Sequence, residues 1–305
     1  MKLAAISLWR VIRSGALFKS GREWARVWAR ARWLLIRYLG VGELVLPFEG
    51  LRIIVRTTDY AIGCQVFVDG HFSRPEFQRA LELLTNAGLF RGSAPVFVDI
   101  GANIGTHTLH ALASRKFARV VSIEPEAENF AQLLRNLRIN RFATDDAINA
   151  AVSSTPGRGL LALSAENFGD HRVVRDPQAS AGSATETIEL VDFATISSRL
   201  GLDSQAVTLF WIDTQGHEFE VLSGIGAERL RRSPFVIEFW PIELRANGTL
   251  DALVALLRGV TSRLVVLQDG RELAPHAELA ALIEGLLHKP RNEGAVDLLC
   301  FGDLL

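Results

Sequence analysis

The segment VFVDIGANIGT, residues 96–106, decides the fold of this chain of 305 residues. A short apolar run that passes through glycines directly into a helical pattern is typical of a strand, a turn and a helix. Gly101 and Gly105 permit a tight turn and let a ligand approach the backbone, and the start of the helix presents N–H groups. The segment therefore predicts a ligand site; the alternative is a turn with a structural role only.

The spacing of the glycines argues against a pyrophosphate cradle. The turn reads G-A-N-I-G rather than GxGxxG, because Asn103 stands where the second glycine would be, and it lacks the lysine of a P-loop. A nicotinamide-dependent dehydrogenase is disfavoured for the same reason. Asp99, just before the turn, opposes a bound anion and favours a cationic ligand.

A second acid follows the next predicted strand. Glu124 comes directly after Arg119–Ile123, 19 positions beyond Gly105, and Pro125 begins the next helix. A carboxylate at this place can accept hydrogen bonds from both hydroxyls of a ribose. The turn and Glu124 together predict a nucleoside ligand, whereas Glu124 alone could be a surface acid at a helix start.

A third segment, WIDTQGHEFEVLSG (211–224), also follows a strand and opens a helix. Asp213, His217 and Glu218 are expected at the carboxyl edge of the sheet, where open α/β folds bind ligands. His217 is the first candidate general base, since its ordinary pKa of ~6.5 suits proton uptake near neutrality. Asp213 and Glu218 come next, and Glu238, at the end of the fifth strand, comes last. The alternative for His217 is a partly exposed residue at a helix start.

The remaining pattern alternates strands and helices, which predicts an α/β fold with a doubly wound, seven-stranded, mostly parallel sheet. The predicted strands are Val96–Ile100, Arg119–Ile123, Ile148–Val152, Val207–Ile212, Phe235–Phe239, Arg263–Leu267 and Val296–Phe301. The last of them is a candidate antiparallel strand. We expect a helical extension over 1–43, a small β/α lead-in over 44–92 and the main domain over 93–305.

Three local features complete this prediction. In the lead-in, Arg52–Arg56 and Gln65–Val68 are β-like, and a helix ending near Gly88 follows a capping box formed by Ser73 and Glu76. Thr249 is a candidate cap for a later helix. Residues 153–187 lack sustained periodicity and follow a strand end, so they are a candidate substrate lid or a disordered insertion.

The first 40 residues are strongly basic. They hold nine Lys and Arg against one acid, Glu23, so their net charge is +8 and that of the other 265 residues is −9. They also hold four of the six tryptophans, Trp9, Trp24, Trp28 and Trp33. Apolar residues recur at helical spacing, with most arginines on other faces, as in helices that bind anionic membranes. The alternative is a helix packed on the main domain; no nucleic-acid-binding module is recognised, and no nucleic acid partner is expected.

Composition excludes several classes of protein. Apolar residues make up 49% and charged residues 22%, unlike collagen-like or disordered chains. The longest apolar run, Ala252–Leu257, is too short to span a bilayer, and the start lacks the apolar core of a secretory signal. Cys64 and Cys300 stand apart without metal-ligand spacing, so a reducing cytoplasm is expected, with peripheral contact at the inner membrane face as the alternative. His107 and His110 lack a third ligand, and no metal is expected.

The resemblance to a known family rests on five segments together: DIGANIGTHTL (99–109), EPEAENFAQLLRNLRIN (124–140), AAVSS (150–154), WIDTQGHEFEVLSG (211–224) and EFWP (238–241). The chain resembles the FkbM family of methyltransferases, a branch of the class I enzymes that depend on S-adenosylmethionine. The similarity covers about residues 60–240. Trp211 stands where the family commonly has lysine, and Gln215 where glutamate is frequent.

This resemblance implies a Rossmann-like sheet, S-adenosyl-L-methionine as the methyl donor and, usually, O-methylation. The residues that it assigns to the donor site are Asp99, Gly101, Asn103, Gly105 and Thr106 in the turn, Glu124 at the ribose and Asp213 closing the site. The expected acceptor is a hydroxyl of a sugar, glycolipid or secondary metabolite. The alternative in another class is a catalytically inactive adaptor at a membrane surface.

Overall fold

The computed structural model describes residues 21–90, 94–164, 171–174, 184–202, 207–275 and 277–303. The strands are β1 (Glu43–Phe48), β2 (Leu51–Arg56), β3 (Val96–Ile100), β4 (Arg119–Ile123), β5 (Ala147–Ile148), β6 (Ala151–Val152), β7 (Gly157–Ala162), β8 (Arg172–Val174), β9 (Thr185–Val191), β10 (Leu209–Ile212), β11 (Phe235–Phe239), β12 (Thr261–Val266), β13 (Glu272–Leu273) and β14 (Val296–Gly302). The helices are α1 (Gly21–Tyr38), α2 (Ile62–Asp69), α3 (Arg74–Asn86), α4 (Thr106–Ser114), α5 (Ala127–Ile139), α6 (Phe193–Arg199), α7 (Glu218–Ile225), α8 (Ala227–Arg232), α9 (Pro241–Ala246), α10 (Leu250–Val260) and α11 (Leu279–Leu287).

The main sheet confirms the predicted doubly wound architecture. Among the described residues it has eight strands in the order β13-β12-β14-β11-β10-β3-β4-β5. The central pairs, from β11 through β10, β3 and β4 to β5, are parallel. The last strand, β14, lies antiparallel between β11 and β12, as its candidate role required. The strand beyond the seven predicted ones is β13, a short hairpin partner of β12.

The central strands are apolar because helices cover both faces of the sheet. Every residue of β3 and of β10 is buried. The chain runs outward from β3 to one edge and then returns to begin β10 on the other side of β3. The point where the order reverses is the crevice in which open α/β sheets bind ligands. It lies between the ends of β3 and β10, the two strands that carry the motifs.

The lead-in contains a helix where a strand was predicted. Gln65–Val68 belongs to α2, so the β-like interpretation of that run is wrong. The carboxylate of Asp59 accepts hydrogen bonds from the backbone N–H groups of residues 61–63 and thereby holds the first turn of the helix. Ile62 and Val66 then bury one helical face, and this tertiary packing outweighs the strand propensity of Val and Phe.

Both helices begin directly after the predicted cap residues, but neither side chain makes the expected capping hydrogen bond. Ser73 has a left-handed backbone with φ +48° and makes no capping hydrogen bond through its side chain. A capping serine instead needs an extended backbone to reach the helix N–H groups. Thr249 lies in the helical region of φ and ψ, and its hydroxyl donates to the carbonyl of Leu244.

A second sheet replaces much of the expected loop over 153–187. Its order is β6-β9-β7-β8, and β7 pairs antiparallel with both of its neighbours. The small core under this sheet contains Ala151, Leu161 and Ile188. The predicted strand Ile148–Val152 is therefore two strands in two sheets, with β5 in the main sheet and β6 in the second. Residues 165–170 and 175–183 of the expected loop lie outside the described residues.

The helix α1 packs on the main body through one face. Ala29 and Trp33 are buried there, and the Trp33 ring meets that of Phe67 on α2 at 5.3 Å between centroids. The hairpin of β1 and β2 joins the body through Asn136 of α5, which accepts the N–H of Ile54. Residues 1–20, part of the basic extension, lie outside the described residues. No described helix combines the length and the apolar character that crossing a bilayer requires.

Candidate functional site

A cavity of ≈ 350 Å³ opens at the carboxyl edge of the main sheet. This volume lies within the range of small-molecule sites, about 300–1,000 Å³. Its walls come from the turn after β3, the segments after β4 and β10, the end of β11, the second sheet, the lead-in and the segment before β14. Of the sequence-predicted site residues, those at the cavity wall are Gly101, Asn103, Thr106, Glu124, Asp213, His217 and Glu238.

The turn after β3 approaches the end of β10 so closely that residue 101 must be glycine. Gly101 has φ +82°, and a Cβ built there would lie 1.9 Å from the carbonyl oxygen of Asp213. The turn is fixed from the other side as well, because the N–H of Gly101 donates to the carbonyl of Ile123 at 2.9 Å. At Gly105, with φ +93°, a Cβ would lie 2.6 Å from a methyl of Leu133. Both positions therefore require glycine for two reasons: a side chain would clash with its neighbours, and the backbone has a positive φ.

Glu124 closes one side of the turn. Its carboxylate accepts the N–H of Asn103 at 2.7 Å with Oε2 and the N–H of Glu126 at 2.9 Å with Oε1. Burial raises the pKa of Glu124 to about 8, although both backbone hydrogen bonds act to lower it. Each carboxylate oxygen keeps a further lone pair that can accept a hydroxyl proton.

Asp99 lies behind the turn rather than at the cavity wall. Its Oδ2 accepts the hydroxyl of Thr108 at 2.6 Å, and that hydroxyl also lies 2.8 Å from the hydroxyl of Ser122. Burial raises the pKa of Asp99 to about 7, and the nearby charge of Asp213 adds to this effect. The structure therefore gives Asp99 a contact that holds α4 against β3, and its predicted contact with a cofactor stays a prediction.

Gln215 joins two carboxylates of the site. Its amide nitrogen donates to Oδ1 of Asp213 at 2.6 Å and to Oε2 of Glu238 at 2.8 Å. An amide has two N–H donors, so this one side chain can hydrogen-bond to both carboxylates at once. A glutamate at this position would instead set a third negative charge against the other two. Gln215, where the family frequently has glutamate, therefore connects the carboxylates of Asp213 and Glu238 by hydrogen bonds.

His217 and Glu218 begin the helix α7 but face different surroundings. His217 is almost fully buried and lines the cavity. Oε1 of Glu218 accepts three hydrogen bonds, from the N–H and hydroxyl of Thr214 and from the N–H of Gly216. Burial raises the pKa of Glu218 to about 7. Glu218 is not among the cavity-lining residues, so its contacts fix the loop before α7, while its catalytic role stays a prediction.

Trp211 fills the second position that departs from the family pattern. It is buried beneath the site, and its ring stacks on the ring of His107 with centroids 4.4 Å apart. Burial lowers the pKa of His107 well below its ordinary value, so this imidazole is neutral.

The neighbouring His110 is held by the backbone, with its Nε2 2.7 Å from the carbonyl oxygen of Phe72. The described residues contain no cluster of three or more side chains suited to hold a metal.

The far wall of the cavity was missed by the sequence interpretation. It includes Trp240, His171 and Arg291, and the lead-in adds residues 61 and 62. The guanidinium of Arg291 pairs with the buried Glu243 and lies 6.0 Å from the centre of the Trp240 ring. The EFWP segment was the one available signal, because it placed an aromatic ring just after a central strand.

A comparison with models of protein families shows to which family this chain is related. The model described as "Methyltransferase FkbM domain" matches residues 99–263, more than half of the chain. The chain belongs to the FkbM methyltransferase family. The matched range begins at Asp99, near the end of β3, and includes every predicted site residue of this methyltransferase. The resemblance stated from the motifs is therefore confirmed. No curated protein matched the chain.

Solved structures resemble the methyltransferase only remotely. Geranyl diphosphate C-methyltransferase from Streptomyces coelicolor A3(2), solved with Mg²⁺, geranyl diphosphate and S-adenosyl-L-homocysteine, is 15% identical over 79% of this chain and 84% of its own, with a TM-score of 0.37. TYW2 from M. jannaschii, solved with AdoMet, is 10% identical over 86% of this chain and 85% of its own, also with a TM-score of 0.37. At this distance neither likeness bears on substrate or mechanism.

Proposed function

We propose that this FkbM methyltransferase transfers the methyl group of S-adenosylmethionine to a hydroxyl of a sugar, glycolipid or secondary metabolite. The observation that carries the proposal is the pairing of the glycine turn with Glu124 at one wall of the cavity. Family membership supplies the reaction class, and the geometry of this wall supports the donor.

The residues at the turn fit the donor. Gly101 lines the cavity and allows the turn to lie directly against Asp213, and Glu124 offers acceptors for the two ribose hydroxyls. Asp213 and Glu238 line the same cavity, so its polar wall carries acids suited to a cationic ligand. When bound there, S-adenosylmethionine supplies an electrophilic methyl group on a positively charged sulfur.

The residues of this chain then position the acceptor and take up its proton. His217 lines the cavity after β10, and we assign to its imidazole the proton that the acceptor hydroxyl loses as it forms the new C–O bond. Asp213 and Glu238, held by Gln215, keep the wall beside His217 negative, which favours the imidazolium that results. Glu218 positions this loop through its three hydrogen bonds.

Replacing His217 with alanine is expected to slow methyl transfer by about 10²–10⁴-fold, the usual contribution of a general base. Donor affinity should change little, because Glu124 and the glycine turn remain. The measurement is single-turnover formation of S-adenosylhomocysteine from pH 6 to 9, with the exposed His288 replaced by alanine as a matched control. An unchanged rate across this range would remove His217 from the base role.

The test of the whole proposal has two parts. Calorimetric titration of the full chain should show one site for S-adenosylmethionine and none for NADH. Cells with and without the protein should differ in one metabolite that is heavier by a single methyl substitution. Donor binding without any turnover would favour the inactive adaptor, and binding of NADH alone would contradict the donor assignment.

A further inference from the structure

The helix α1 has a second apolar face that points away from the body. Its solvent-exposed members are Trp24, Trp28, Leu35 and Tyr38, and with Leu39, which directly follows the helix, we call them the outer face of α1. Trp28 is 65% exposed, Leu39 68% and Tyr38 84%. These are among the largest apolar side chains that the described part of the protein leaves in solvent.

The positions of these residues make one continuous stripe. At 3.6 residues per turn they fall within an arc of about 100° on the helix. Ala29 and Trp33, which pack on the body, lie on the opposite side. The packed-helix interpretation therefore accounts for the inner face of α1, and it leaves the outer face unexplained.

The arginines of α1 lie outside the stripe, and several of them reach toward the body; the Arg32 guanidinium lies 6.0 Å from the centre of the Phe67 ring. Arg26 lies toward the body, where it forms a salt bridge with Asp69 at 2.7 Å. The guanidinium of Arg37 lies 4.5 Å from the centre of the Tyr60 ring. Arg30 and Arg32 are exposed. An aromatic stripe on a helix whose other positions carry several arginines is the composition of helices that lie in a lipid interface, where long cationic side chains can extend to the headgroups.

The uneven charge of the chain favours a negatively charged lipid surface over a neutral one. Residues 1–40 carry +8 and the other 265 residues carry −9. An anionic bilayer attracts the first segment and repels the rest of the chain, so it orients the protein as well as binding it. A zwitterionic surface offers only the apolar contribution.

We propose that the outer face of α1 binds the surface of an anionic lipid bilayer. The proposal does not depend on the methyl donor, because it concerns a surface formed by α1 rather than the cavity. The two are neighbours along the chain: Tyr60 is 40% exposed beside Arg37, and the next two residues line the cavity. Bound in this way, the protein would hold its cavity close to the bilayer.

Vesicle flotation of the full-length protein tests the proposal. The protein should float with vesicles of phosphatidylcholine and phosphatidylglycerol, and much less with phosphatidylcholine alone. Trp24→Ser with Trp28→Ser should reduce flotation strongly. Arg30→Gln and Arg32→Gln should each weaken binding about fivefold at low salt, the equivalent of ~1 kcal/mol per arginine near an anionic surface. Arg232→Gln, exposed on α8, is the matched control and should bind as the unchanged protein does.

Three results would overturn the proposal. One is failure of the unchanged protein to float with anionic vesicles, and another is equal flotation of the double tryptophan variant. The third is a dimer at micromolar concentration that the tryptophan variant loses while neither protein floats, since a second copy would then cover the face. Donor titration of each variant should give unchanged affinity, so a failed membrane prediction remains distinguishable from a failed donor assignment.

Discussion

Replacing Gly101 with alanine is expected both to destabilise the protein and to slow methyl transfer by about 100-fold. The new Cβ would overlap the carbonyl oxygen of Asp213, which is backbone and is itself fixed, because the N–H of Asp213 donates to the carbonyl of Ile100 at 3.0 Å. The left-handed backbone costs about 1–2 kcal/mol and overpacking about 1–3 kcal/mol more. A shift of the turn by roughly 1 Å would lower the transfer rate by about 100-fold.

Gly50 offers the matched control for this change. It has φ +78°, almost that of Gly101, but a Cβ there meets nothing within 4 Å. Gly50→Ala therefore carries the backbone strain without the clash. Thermal unfolding and calorimetric donor titration of both variants measure the difference between them. Equal effects would mean that the contact between the turn and Asp213 does not hold the site together.

Replacing Glu124 with glutamine is expected to weaken donor binding by about 10–100-fold at pH 9, where the carboxyl is mainly ionised. Hydrogen bonds to charged groups contribute about 1.5–3 kcal/mol, and the amide presents a donor where the carboxylate accepts. One amide group would also oppose the N–H of Asn103 or of Glu126, which now donate to the carboxylate. Glu126→Gln is the control: Glu126 caps α5, so its loss should lower stability with little effect on donor affinity.

The same residue should make nucleoside binding depend on pH. Because burial raises the pKa of Glu124 to about 8, the carboxyl is mostly protonated at neutral pH. The ionised form accepts hydroxyl protons more strongly, so affinity should rise as the pH increases through about 8. Methylthioadenosine is the suitable probe, since it has the ribose and adenine but neither the sulfonium charge nor the amino acid part of S-adenosylmethionine. A dependence that persists in Glu124→Gln would assign the titration to another group.

The central sheet could be predicted because its signals are local. The apolar runs at β3, β4 and β11 end at their predicted residues, and the glycines and acids that follow them fix the edge where the site forms. The motif after β4 predicted Glu124, and the motif after β10 predicted Asp213 and His217. The structure brings these three residues to one cavity, beside the turn after β3.

The second sheet and the rest of the site could not be predicted, because they depend on contacts between residues far apart in the sequence. The second sheet is built from short strands that reach across 153–187, and their pairing is a tertiary event. Residues 61 and 62 reach the cavity only because α2 folds back over the turn. The bridge made by Gln215 requires the ends of β10 and β11 to lie side by side, as the parallel pairing of those strands provides.

The hydrogen bonds of Gly101 and Asp213 across the strand ends have a consequence for the thermodynamics of binding. They connect the turn to β4 and β10 before any ligand arrives, so the donor half of the cavity is preorganised. Little conformational entropy is then lost on that side when the nucleoside binds, and more of the gross contact energy is retained as affinity. The opposite half, assembled from the lead-in and the second sheet, is where evolution could exchange one acceptor for another without disturbing the donor.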